Sequence, residues 1–146
     1  MRFSEWLNIR YYHGSFDKLP IGTILTPRSN YEQNWAHNNF YRVLEKYRPP
    51  TMIAHRNAVF MCDNLDDIDN SGSPLKYVYE VQPLGVVQKH DMNWSSEIDY
   101  LSDQKAPEEK LREAAINYWN GQPHFNESVW EYLTPKAKIV ALVQEE

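Results

Sequence analysis

The run Asn8-Ile9-Arg10-Tyr11-Tyr12-His13, closed by Gly14-Ser15, is rich in aromatic side chains and stops at a turn-forming pair, so it reads as a strand with a histidine at its end. Working outward, Thr23-Ile24-Leu25-Thr26 is a second short strand, closed by Pro27, which has no N–H to give to a ladder. Over residues 36–47, Phe40, Val43, Leu44 and Tyr47 recur at helical spacing until Pro49-Pro50 stops the pattern. Ala58-Val59-Phe60-Met61-Cys62 is a continuous apolar run, as expected of a strand buried on both faces. Tyr77-Val78-Tyr79-Glu80-Val81 is a further strand, ended by Pro83 and Gly85 and resumed at Val86-Val87. Pro107-Glu108-Glu109 opens a second helix, because proline suits the first turn and carboxylates favour the positive end of the helix dipole. Leu111, Ala114, Ala115 and Tyr118 give that helix a buried face and Gly121 ends it; residues 129–133 and 137–143 close the chain as two strands. Helices that separate clusters of strands, without regular βαβ alternation, predict an α+β domain with mainly antiparallel pairing.

The bulk properties agree with one domain over residues 1–146. The nine prolines are scattered, with no linker or internal repeat. A hydrophobic fraction of 42% can fill a core, which excludes general disorder. Fifteen Lys and Arg against twenty Asp and Glu leave a net charge of −5, so general nucleic-acid binding through a basic field is not expected. Cys62 is the single cysteine, which rules out an intrachain disulfide framework and fits a reducing compartment, with cytoplasm as the expected location. The first eight residues form no apolar leader segment and no stretch is apolar enough to span a bilayer, so no membrane association is expected.

Several chemistries lack their residues. The five glycines never approach the spacing of a dinucleotide fingerprint or a P-loop. Residues 63–74 are acidic and turn-rich, with a short helical turn at 65–68; Asp67-Ile68-Asp69-Asn70-Ser71-Gly72 imitates the start of a calcium loop, but Val78 stands where the closing glutamate is required. His13, His37, His55, His90 and His124 are too dispersed for a local metal motif, and no metal is expected. Ser15, Ser29 and Ser71 lack the Gly-x-Ser-x-Gly setting of a nucleophile elbow.

What remains is an ordered set: Tyr12-His13-Gly14-Ser15, then Leu19-Pro20-Ile21-Gly22-Thr23-Ile24-Leu25-Thr26-Pro27, then Val59-Phe60-Met61-Cys62-Asp63-Asn64-Leu65-Asp66. Val81-Gln82-Pro83-Leu84-Gly85, Asp91-Met92-Asn93 and Trp130-Glu131-Tyr132-Leu133-Thr134-Pro135 follow. In this order the sequence resembles the ADP-ribosyltransferase family, and its N-terminal half is most similar to the rifamycin-modifying branch. The resemblance covers most of the chain and rests on the order of the set, since no single motif is specific. It implies a split, two-sheet β core with flanking helices, whose cleft takes NAD⁺ as co-substrate and transfers ADP-ribose to a nucleophile, with release of nicotinamide.

The resemblance also implies roles. Tyr12, His13, Gly14 and Ser15 match the strand-end motif, in which the histidine hydrogen-bonds a ribose hydroxyl and the glycine backbone meets the nicotinamide amide. Phe60 stands where the family usually has a tyrosine stacked on nicotinamide; stacking survives the lost hydroxyl, but that hydroxyl's hydrogen bond does not. Two residues compete for the catalytic carboxylate: Glu131, in the general Glu-x-Leu-x-Pro pattern before the last strand, and Asp91, which matches the acidic residue of the rifamycin-modifying branch. Val129 replaces the second acidic or amide side chain of arginine-modifying relatives, so a hydroxyl-type acceptor is favoured, on a small molecule, protein or nucleic acid. The acceptor would be chosen by loops within residues 28–47 and 94–106. Taken singly, Phe60, Asp91 and Glu131 fit structural roles better than functional ones, as a core aromatic, a turn cap and an edge-strand carboxylate, and His13 alone does not. A catalytically silent domain of the same fold, acting by binding a partner, and NAD⁺ hydrolysis are the alternatives; Trp94, Trp119 and Trp130 are assigned to packing.

Overall fold

The structure, a computed structural model, describes residues 9–68 and 76–145. The start of the first expected strand and the calcium-like stretch from Asp69 onward lie outside those residues. Seven strands, four α-helices and two 3-10 turns are described: β1 (Tyr11–Ser15), β2 (Ile24–Leu25), α1 (Tyr31–Trp35), α2 (Asn39–Lys46), a turn at His55–Asn57, β3 (Val59–Met61), a turn at Leu65–Asp67, β4 (Tyr77–Pro83), β5 (Gln88–Asp91), α3 (Asn93–Asp103), α4 (Glu108–Trp119), β6 (Trp130–Thr134) and β7 (Ala137–Glu145). The chain is a mixed α+β domain with two antiparallel sheets, ordered β1-β4-β7-β2 and β3-β6-β5.

The two sheets are joined by a pair of backbone hydrogen bonds. Tyr12 N–H donates to Cys62 O at 2.8 Å and Cys62 N–H donates to Tyr12 O at 3.0 Å, an isolated antiparallel bridge just beyond the end of β3. Val59, Met61, Tyr79, Val81, Tyr132, Ala137 and Ile139 fill the space between the sheets. A second core, built from Leu44, Trp94, Ile98, Ala114, Ala115, Tyr118 and Trp119, packs α2, α3 and α4 together. The indole N–H of Trp119 donates to Leu44 O at 2.9 Å, so the largest buried side chain is also tied to α2.

Three differences from the sequence expectations bear on function. β3 is not buried on both faces: Val59 and Met61 are, but Phe60 is half-buried because its side of the sheet opens to a cleft. Residues 94–106 are not a loop but mostly α3, whose inward stripe is Trp94, Ile98 and Leu101. Residues 28–47 hold α1 as well as α2.

α4 ends as its sequence implies, in a Schellman motif with Gly121 at φ +71 and Gln122 N–H bonded to Asn117 O. α3 ends in the same motif, with Lys105 N–H bonded to Ser102 O and Ala106 N–H to Leu101 O, but Lys105 occupies the left-handed position at φ 54. A Cβ in that conformation costs roughly 1–2 kcal/mol, partly offset by glycine's larger unfolded-state entropy. Lys105→Gly is therefore expected to stabilise the fold by up to about 1 kcal/mol in urea unfolding, and a loss of stability would contradict this account of the helix end.

Candidate functional site

The β1–β3 junction sets one wall of a cleft of about 370 Å³, within the size range of small-molecule sites. His13 follows the Tyr12–Cys62 bridge, and its Nδ1 lies 2.8 Å from Phe60 O. A carbonyl can only accept, so Nδ1 carries the proton of the neutral ring and Nε2 is left as an acceptor. Burial lowers the His13 pKa, only partly opposed by the Phe60 bond, and the nearby Arg28 lowers it further. The ring therefore stays neutral at physiological pH.

Glu131 comes from β6, the central strand of the smaller sheet, where it pairs with His90 of β5. It lines the cleft yet is only 4% exposed. Its Oε2 accepts a 2.6 Å hydrogen bond from the Tyr118 hydroxyl of α4. Behind that bond, His55 Nε2 lies 2.7 Å from the Tyr118 oxygen, and the Tyr31 hydroxyl lies 3.3 Å from His55 Nδ1. Burial lifts the Glu131 pKa from the usual carboxylate range to about 7; the Tyr118 bond pulls it down and the Asp91 charge adds to the rise.

The aromatic wall is denser than the sequence suggests. Tyr31 stacks on Phe60 with centroids 5.6 Å apart and planes 16° apart, while His55 meets the same ring edge-on at 5.4 Å. Trp35, Phe40 and Met92 extend the apolar lining, and Arg28 is the one Arg or Lys that faces it among the described residues.

Of the residues the sequence singles out, the cleft brings together His13, Phe60 and Glu131, from β1, β3 and β6. Asp91 is not in the lining but lies behind it, bonded to the backbone of two lining residues, Asn93 and Val129. It is fully buried, its Oδ1 accepts the N–H groups of Asn93 and Val129 at 3.0 Å each, and its Oδ2 accepts that of His124 at 2.7 Å. It ties the end of β5 to the start of α3 and to the segment entering β6. Tyr12 packs with Cys62, Ile68 and Val78, away from the cleft; the Ser15 hydroxyl donates to Asp17 O; buried Gly14 is not part of the lining. Trp94 and Trp119 are core residues, and Trp130 is half-buried beneath the Lys89 ammonium, 4.2 Å from its ring centre.

Sequence reasoning missed Tyr31, His55 and Arg28 in the lining and Tyr118 behind it. No spacing rule marks them, and Tyr31, His55 and Tyr118 are held by contacts across the fold and not along the chain. Among the described residues no cluster of three or more His, Cys, Asp or Glu could hold a metal ion, and no helix is long and apolar enough to cross a membrane. A scan against known protein families and a search of curated proteins find no match to this chain.

Two predictions test this electrostatic picture. Asp91→Asn replaces an acceptor of three amides with a group that presents a donor to at least one of them; an expected loss of about 2–3 kcal/mol in urea unfolding follows from a buried amide left unpaired. A variant as stable as the parent would contradict the anchoring role.

The second concerns pH. Burial first, with the neighbouring His90 and Arg48 adding to it, holds His55 down to about 3, and burial holds His90 down to about 4, so the fold keeps both neutral where the unfolded chain protonates them near 6.5. Unfolding therefore takes up protons, and stability falls as pH drops below about 6.5. Glu131 acts with the opposite sign: held at about 7 in the fold against 4.5 when free, it adds stability as pH falls from 7 to 4.5. His55→Gln removes one histidine from this balance. Its stability between pH 6 and 5 is expected to fall less steeply than the parent's, by about 1.4 kcal/mol per pH unit. Equal slopes would show that His55 titrates in the fold as it does when free.

Proposed function

We propose that this chain is a mono-ADP-ribosyltransferase of the ADP-ribosyltransferase-like α+β fold. It transfers ADP-ribose from NAD⁺ to a hydroxyl-type acceptor and releases nicotinamide. The observation that supports the reading is the meeting of His13, Phe60 and Glu131, from three separate strands, in one apolar cleft. Of the two carboxylates, Glu131 takes the catalytic part, because Asp91 is committed to backbone amides.

The residues suit the nicotinamide riboside end of NAD⁺. Nε2 of His13 accepts from a ribose hydroxyl. Phe60 supplies a flat apolar face for the pyridinium ring, and Tyr31 beside it returns a phenol to a site whose motif position lacks one. Arg28 brings a positive charge suited to the diphosphate. Breaking the bond from ribose C1′ to nicotinamide leaves positive charge on the sugar. The Glu131 carboxylate, itself almost wholly buried, stabilises that charge as in glycoside cleavage. The acceptor oxygen then bonds to C1′ and gives up its proton to a base, for which Glu131 is placed. Overall, acceptor hydroxyl and NAD⁺ become the O-linked ADP-ribosyl glycoside, neutral nicotinamide and one proton.

A second reading has its own support. Part of the Phe60 face is already taken up by Tyr31, which suits a silent domain that binds a partner. NAD⁺ binding separates the two.

The test is nicotinamide release from NAD⁺, followed by chromatography, with water and a panel of hydroxyl-bearing acceptors. Release should rise with pH through about 7 as Glu131 ionises, and Glu131→Gln should cut it on the order of a hundredfold with the circular dichroism unchanged. Folded protein that neither binds NAD⁺ nor releases nicotinamide with any acceptor would end the catalytic reading.

A further inference from the structure

The hydrogen bonds behind Glu131 form a continuous line. From the cleft wall inward they run Tyr31 hydroxyl, His55 Nδ1, His55 Nε2, Tyr118 hydroxyl and Glu131 Oε2, with spacings of 3.3, 2.7 and 2.6 Å. The middle of the line is buried, with Tyr118 wholly enclosed and His55 only 3% exposed. His55 is hemmed in by the rings of Tyr31, Tyr41, Phe60, Tyr118 and Trp119. Both ends line the cleft, as does His55 between them, and Tyr118 alone stands wholly behind the wall.

Each group in the line can reverse its role. With Glu131 ionised, its oxygen can only accept, so Tyr118 donates to it, His55 Nε2–H donates to Tyr118, and Tyr31 donates to Nδ1. With Glu131 protonated on Oε2, every bond can turn round. Glu131 donates to Tyr118, Tyr118 donates to Nε2, and Nδ1–H donates to the Tyr31 oxygen, whose own proton then faces the cleft. A neutral imidazole permits this because it is donor at one nitrogen and acceptor at the other in either tautomer.

We propose that Tyr31, His55 and Tyr118 are a proton relay that carries a proton between the buried carboxyl of Glu131 and the Tyr31 hydroxyl in the cleft wall. The relay rests on the transferase reading for its use: Glu131 takes the acceptor's hydroxyl proton and has to lose it before the next turnover. The Glu131 proton moves to the Tyr118 oxygen, the Tyr118 proton to Nε2, the Nδ1 proton to the Tyr31 oxygen, and the former Tyr31 proton departs to water in the cleft. Each member ends with one proton, His55 is in its other tautomer, and Glu131 is again a carboxylate. Tyr118 and His55 are positioning residues in this scheme, since neither is required to touch substrate.

The charged and titratable groups around the line are few. His90 and Asp91 flank Glu131 on β5, His13 and Arg28 share its cleft, and Arg48 and Glu45 act from α2 and the residues after it on His55 and Tyr31. His90 stacks on Tyr118 at 4.5 Å and gives its Nδ1–H to Tyr118 O, so it holds the ring without entering the line.

Nuclear magnetic resonance of the whole chain, with ¹³C-labelled glutamate and ¹⁵N-labelled histidine, tests the relay without NAD⁺. A failure here leaves the transferase reading standing, and inactivity toward NAD⁺ leaves this result unaffected. In the parent protein the His55 ring should remain neutral and switch from the Nδ1–H to the Nε2–H tautomer as Glu131 ionises near pH 7. Tyr118→Phe keeps the ring and removes the link. The Glu131 midpoint should then rise by about one pH unit, and the His55 switch should no longer follow it. If Tyr118→Phe does not fold, Tyr31→Phe carries the test: with no oxygen to receive Nδ1–H, His55 should stay in the Nε2–H tautomer throughout. A parent His55 that keeps one tautomer across the Glu131 titration, an unmoved Glu131 midpoint in Tyr118→Phe, or a persisting switch in Tyr31→Phe would each overturn the proposal.

Discussion

Two backbone hydrogen bonds between Tyr12 and Cys62 hold the larger sheet against the smaller one, and the rest of the site follows from them. They place the next residue, His13, where its ring can give Nδ1–H to Phe60 O, so the join between sheets is made twice within two residues. β1 is the edge of its sheet and β3 the edge of the other, so the join is made edge to edge. The cleft lies beside this join, with His13 and Phe60 in its wall, and β6, next to β3, carries Glu131 into it.

Burial dominates the electrostatics of this region. An isolated carboxylate, imidazole or phenol is costly to bury, and the fold offsets that cost by pairing them with one another. Glu131 accepts from Tyr118, Tyr118 stacks on His90, and His55 sits between two phenols. Asp91 is handled differently: a ring of backbone amides satisfies its charge, which makes it a fastener for the loops around β5. Two carboxyl groups on neighbouring strands of one sheet thus differ in their partners, one meeting backbone amides and the other a phenol.

Much of this was legible in the chain. β-branched and aromatic runs marked β1, β4, β6 and β7, helical spacing marked α2, and the Pro-Glu-Glu opening with Gly121 marked both ends of α4. α3 was not found. Its stripe of Trp94, Ile98 and Leu101 is readable in retrospect, but two serines and two carboxylates dilute it, and Lys105 replaces the glycine that would have signalled its end. At the site, His13, Phe60 and Glu131 stood out because each sits in a strand-end or strand-centre pattern. Tyr31, His55 and Tyr118 did not, since their roles come from packing between a short helix, a 3-10 turn and α4 that lie far apart in the sequence. That Glu131 lines the cleft and Asp91 does not was likewise beyond the sequence, because it depends on which backbone N–H groups the surrounding loops direct inward.

The proposed function requires the three strands that carry His13, Phe60 and Glu131 to grip one dinucleotide. A crystal structure grown with a non-cleavable carbocyclic analogue of NAD⁺ tests it most directly. The account predicts the nicotinamide ring against Phe60 and Tyr31, a ribose hydroxyl on Nε2 of His13, and the Glu131 carboxyl facing the sugar. An analogue that binds elsewhere on the chain, or leaves the cleft empty at saturating concentration, would contradict it.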